Sequence, residues 1–117
     1  MKKRNYRLLI DDMVESMDRI EHYLSGLSYY DFLSNQMVID AVLRNIEIIG
    51  EAARNIPENI RNDYQIIPWK RMIGLRNIAT HVYFGIDYDI LWKILTEGIP
   101  EAKKYVLQLR DLLSFER

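Results

Sequence analysis

The chain has 117 residues, 49% of them hydrophobic, no cysteine, and 16 basic against 17 acidic side chains. That length holds a single domain, residues 1–117, with one packed core. The lack of cysteine excludes a disulfide framework, a thiolate nucleophile and a cysteine zinc site, and fits a reducing cytoplasm.

The basic start Met1-Lys2-Lys3-Arg4 runs into Leu8-Leu9-Ile10, which stops at Asp11-Asp12, too soon for a secretory leader. No apolar run approaches the roughly 20 residues of a membrane span. Ile10, Met13, Val14, Met17, Ile20, Leu24 and Leu27 recur at three- and four-residue intervals, which predicts a first helix with its acids facing outward, ending near Gly26. A second helix is expected from about Ser34 to Ile56. Its apolar residues cover more than one face, so it should be central, and small Gly50, Ala52 and Ala53 invite another helix close before Pro57 ends the run.

Pro68 suits the first position of a third helix, which the pattern ends at Gly85. Asp87 can cap a fourth, whose stripe runs from Leu91 to Leu113 through Pro100, where a kink is expected. With no strand-like alternation, repeat or linker, the fold class is all-α, an antiparallel four-helix up-and-down bundle.

Charge is uneven. Asp11 to Glu21 holds five acids and one arginine, whereas Tyr64 to Ile86 holds Lys70, Arg71, Arg76 and His81 with no acid, a local excess that suits a phosphate-bearing partner or a solvated helix face. At about 100° per residue, Trp69, Met72, Ile73, Arg76, Thr80 and Tyr83 share one face of the third helix. Leu75, Ile78 and Val82 form a second apolar face, with Lys70, Asn77 and His81 between them. Arg76 thus interrupts an apolar face, where a charge needs a partner: an ion pair to Glu47 or Glu51, or a ligand in a cleft.

His81 can exchange a proton near neutral pH, and Arg76 can hold a phosphate and the charge that develops on it. RNA brings its own nucleophile, the ribose 2′-hydroxyl, so Arg and His suffice to cleave it without a protein nucleophile or metal. His22, among the acids of the first helix, is read as an ordinary surface residue. Arg76 and His81 point about 140° apart on an ideal helix. Cleavage needs a base and an acid, and each chain offers one suitable histidine, so a two-fold dimer pairing the third helices would complete the site.

Arg76-Asn77-Ile78-Ala79-Thr80-His81-Val82-Tyr83 reads Arg, four residues, His, one residue, Tyr, which resembles the signature of the HEPN superfamily. Ile49-Gly50-Glu51-Ala52-Ala53 before Ile56-Pro57, then Pro68-Trp69, the signature, Tyr83 to Asp87 and Trp92, is similar to the HepT branch over nearly the whole chain. The resemblance implies a homodimer with a composite cleft and metal-independent endoribonuclease activity, with no cofactor. It implies the toxin of a type VII toxin-antitoxin pair whose partner is a minimal nucleotidyltransferase (MNT) antitoxin. Arg76 and His81 are then catalytic, and Tyr83 is the residue modified with AMP; the polar residues of the same helix, Asn77, Lys70, Arg71 and Thr80, are read from their placement as supporting RNA binding.

Two other readings compete with this. One is a non-catalytic nucleotide- or substrate-binding partner of a nucleotidyltransferase, which does not require the proton-transfer group His81 supplies. The other is a purely structural bundle, which leaves Arg76 unexplained. A metal site is disfavoured because His81 has no second ligand at i+3 or i+4, and no glycine-rich phosphate loop is present.

Overall fold

Local chemistry marks where most of the helices begin and end in the computed structural model, which describes residues 5–82, 85 and 87–114. Helix α1 (Tyr6–Leu24) starts where Asn5 Oδ1 accepts the Arg7 amide at 2.9 Å. It stops before Gly26, whose φ of 78° only glycine adopts easily. A capping box in which Ser28 and Asp31 accept each other's amides opens α2 (Tyr29–Leu33). Asn35 Oδ1 caps α3 (Gln36–Asn55) through the Val38 amide at 3.1 Å, and Pro57 separates α3 from α4 (Glu58–Asp63).

Helix α5 (Trp69–Val82) follows Pro68, whose carbonyl accepts the Met72 amide at 3.0 Å. The expected end at Gly85 lies past Val82 across residues 83 and 84, which are outside the described residues; Gly85 itself has φ 95°. Asp87 caps α6 (Tyr88–Lys93) as anticipated, accepting the Asp89 amide at 2.9 Å. A π-helical turn (Ile94–Gly98) then leads into α7 (Ile99–Ser114).

The turn accounts for Pro100. Proline has no amide to give Thr96 and its ring crowds that carbonyl. One extra residue in the turn moves the Ile99 amide to Ile94 O, and the α-helix resumes. The fourth helix of the sequence reading is therefore three segments, with its irregularity before the proline.

The fold is all-helical among the described residues. The short α2 and α4 were not expected, because five or six residues give no periodicity to read. Helix α3 packs against both α1 and α5, and α7 packs against α1, so α3 is as central as its pattern predicts. The core is Ile10, Met13, Met17 and Ile20 of α1, Val42, Leu43, Ile46, Ile49 and Ala53 of α3, Leu91, and Val106 and Leu109 of α7. Lys103 on α7 pairs with Asp18 at 2.6 Å and Glu21 at 3.1 Å on α1. Beside α5 runs a long open groove facing α6, the π turn and α7, lined by Ile66, Ile73, Ile78, Ile90, Ile94 and Tyr105. None of the described helices is long and apolar enough to cross a membrane.

Candidate functional site

The site is placed by the contact of α5 with α3. A Cβ built on Gly50 would lie 3.0 Å from Arg76 N and 3.1 Å from Met72 O, so the missing side chain is what lets α5 lie directly against α3. That approach decides which side of α5 is buried: Trp69, Met72, Leu75 and Ala79. The two apolar faces of the sequence reading are redrawn accordingly. Leu75 turns into the core with Met72, and Arg76 and Thr80 fall outside the buried stripe. Arg76 does not interrupt a buried face, and its side chain is 54% exposed.

Its guanidinium nevertheless has a partner. Arg76 Nη1 donates to Glu51 Oε2 at 3.1 Å, with the Glu51 side chain 52% exposed. Of the two carboxylates the sequence offered, Glu51 forms the pair and Glu47 turns to Arg44 at 3.4 Å. Half-exposed pairs of this kind are worth about 0–1 kcal/mol, because water screens them and two long side chains must be held still. The pair closes one end of a cleft whose floor is Leu9, Ile48 and Ala52 and whose rim is Asp12, Arg44, Glu47 and Asn55. Sequence reasoning missed Arg44 and Asp12, which come from distant turns and share no motif.

His81 lies on the opposite side of α5, exposed, with Nδ1 2.7 Å from the carbonyl oxygen of Asn77. A carbonyl only accepts, so Nδ1 carries the hydrogen and donates it, and in the neutral ring Nε2 holds the lone pair. The imidazole is thereby oriented with its basic nitrogen outward. The Asn77 backbone carbonyl thus orients the ring. The helix is regular through Val82, so the divergence of Arg76 and His81 expected from an ideal helix holds. Glu51 draws the guanidinium further toward α3.

The remaining predicted residues divide. Thr80 Oγ1 donates to Arg76 O at 3.1 Å, a bond within its own helix. Lys70 and Arg71 are exposed at the start of α5 and line the groove rather than the Arg76 cleft. Tyr83 lies outside the described residues. Among the described residues, no three His, Asp or Glu side chains are grouped as metal ligands.

A second cluster escaped the sequence reading. The Tyr29 hydroxyl donates to Asp89 Oδ1, so Asp89 anchors α2 to α6. Acceptance by that carboxylate, with burial and the nearby negative charges of Asp89 and Asp87, pushes the Tyr29 phenol up to about 12. Trp92 packs on Tyr29 with ring centroids 5.7 Å apart and on Phe32 at 5.1 Å. This cluster secures the start of α6, the helix that follows the Arg-His-Tyr segment in the chain.

Comparison with known proteins identifies the family. The profile of the family described as "Ribonuclease HepT-like" matches residues 13–109. A protein of Methanocaldococcus jannaschii named "Putative RNase" is 44% identical over 106 residues, covering 91% of this chain and 97% of that relative. One of Thermococcus cleftensis named "Probable ribonuclease HepT" is 37% identical over 108 residues, covering 92% and 98%. Another "Putative RNase", from Caldanaerobacter subterraneus, is 32% identical over 111 residues, covering 95% and 96%. No solved structure matches the chain significantly.

Proposed function

The chain belongs to the HepT-like ribonuclease family and is an endoribonuclease; on that premise we propose that it works without a metal, at a cleft built from two copies. One observation carries the reading: α5 displays a guanidinium and an oriented imidazole on diverging sides of one regular helix. Within one chain they do not converge. Two α5 helices brought together would set the His81 of each copy near the Arg76 of the other. The apolar groove beside α5, with Ile66 and Ile90 exposed on it, supports such a neighbour, since monomeric proteins rarely leave large apolar patches wet. The reading keeps the antiparallel up-and-down arrangement of four helices, the last bent near Pro100.

In this mechanism Arg76 holds the scissile phosphodiester and the charge that grows on it. Nε2 of one His81 takes the proton of the ribose 2′-hydroxyl, and the 2′-oxygen bonds to phosphorus. The bond from phosphorus to the 5′-oxygen breaks, and that oxygen takes a proton from the second copy's imidazolium. The products are a 2′,3′-cyclic phosphate and a 5′-hydroxyl. Lys70, Arg71, Asn77 and Thr80 belong to the RNA-facing surface of the helix. The biological role is that of a type VII toxin acting in the cytoplasm. A minimal nucleotidyltransferase antitoxin silences it by placing AMP on Tyr83, which adds bulk and negative charge seven residues along the chain from Arg76.

Cleavage of RNA in the presence of a chelator, reduced about 10²- to 10⁴-fold in His81→Ala, is the expected result. Undiminished cleavage in that variant overturns the mechanism. Mass spectrometry after co-expression with a nucleotidyltransferase of this type tests the regulation, with added mass expected at Tyr83.

A further inference from the structure

The residue assigned to hold the phosphate already holds an anion. The Arg76 guanidinium is bonded to the Glu51 carboxylate at 3.1 Å. Resting on the ribonuclease reading of Arg76, we propose that Glu51 is its positioning residue. Glu51 keeps the guanidinium at the cleft and yields it to the RNA phosphodiester, so that substrate binds by exchange of one anion for another.

Three features support the exchange. Both partners are about half exposed, at 54% and 52%, so a phosphate can reach the pair without opening the core. A buried pair would be locked in place by the cost of leaving either charge alone. The position is fixed by the backbone: Gly50, next to Glu51, rests on the α5 turn between Met72 and Arg76, which sets the register of carboxylate and guanidinium.

The charge of the cleft argues the same way. Its lining holds two bases, Arg44 and Arg76, and three acids, Asp12, Glu47 and Glu51. Arg44 is also paired, with Glu47 at 3.4 Å. Both arginines of a site meant for phosphate are thus paired with carboxylates. A polyanionic chain, held by neighbouring phosphates on cations elsewhere, can displace Glu51 where a mononucleotide cannot. The carboxylate thereby selects a polymer, and it keeps the guanidinium aligned for the bond that replaces it.

The test has a binding arm and a turnover arm. Binding of an RNA oligonucleotide with a 2′-deoxy residue at the scissile position, which cannot react through a 2′-oxygen, is measured by fluorescence anisotropy. Cleavage of the all-ribose parent gives kcat and KM. Glu51→Gln is expected to bind the oligonucleotide about two- to fivefold more tightly, the range that breaking a half-exposed ion pair allows, and to lose kcat at the same time. Asp40→Asn, the same charge change at an exposed site on the same helix, is the control for general repulsion and leaves kcat unchanged.

Tighter binding with lower kcat at position 51 alone bears out the exchange. Equal behaviour of the two variants overturns it. Should Glu51→Gln fail to fold, Glu51→Asp replaces it: the charge stays but reaches less far, so kcat falls without the gain in binding, and an unchanged kcat overturns the proposal. A wild-type protein that cleaves no RNA overturns the ribonuclease reading instead, while the binding arm still decides whether phosphate and Glu51 compete.

Discussion

Gly50 and Arg76 meet backbone to backbone, with the position of a Gly50 Cβ only 3.0 Å from the Arg76 amide nitrogen. The neighbouring atoms are main chain, so they cannot rotate away. Gly50→Ala must therefore move α5 from α3 by a few tenths of an ångström, at a cost of roughly 1–3 kcal/mol for overpacking. The shift also carries Arg76 away from Glu51. Thermal denaturation should show the loss of stability, and cleavage should fall more than that loss explains.

Mixing wild-type and His81→Ala subunits counts the histidines in one site. If both copies serve a single cleft, activity follows the square of the wild-type fraction, so an equal mixture that has exchanged subunits retains roughly a quarter. Independent sites retain about half. A linear titration removes the shared site.

Lys103 joins the C-terminal helix to the first, with its side chain 19% exposed between Asp18 and Glu21. Its hydrogen bond to Asp18, aided by Glu21 and opposed by partial burial, raises the ammonium pKa above its usual value. A raised pKa means stability that is present below the unfolded value and lost as pH climbs through the folded one. Lys103→Met should cost about 1 kcal/mol or less at neutral pH, and the difference from wild type should fade at strongly alkaline pH and in high salt.

Much of this was legible in the sequence because it is local or periodic. The α1 stripe, the central α3, the small residues at Gly50 and the caps at Pro68 and Asp87 each follow from spacing or from one residue's backbone chemistry. Even Glu51 was one of two carboxylates offered to Arg76. The exposure of Arg76 was not legible. Helical angles gave its face correctly, but which part of that face is buried depends on how closely α3 approaches, a tertiary property. The bond from Tyr29 to Asp89 spans 60 residues and has no counterpart in any local pattern.

That bond has its own signature. Its carboxylate partner holds the Tyr29 phenol up to about 12. Ultraviolet titration of wild type against Tyr29→Phe should assign a phenol that ionises near that value to this residue. The sign follows from the raised pKa: between the ordinary phenol value near 10 and about 12, the unfolded chain releases the proton first. The stability advantage of wild type over Tyr29→Phe should therefore shrink across that window. No such narrowing would mean the bond is absent in solution.

With the proposed second copy as its cover, the open groove beside α5 would tie the stability of this fold to protein concentration. Ile66 and Ile90 are 63% and 52% exposed at its sides, so a solitary chain keeps an apolar trough in contact with water. Whatever covers the trough binds the folded chain and not the unfolded one, and adds its binding energy to the stability by mass action. With a second copy as the cover, the melting temperature climbs as the protein is concentrated, and dilution dismantles the cleft before the helices themselves unravel.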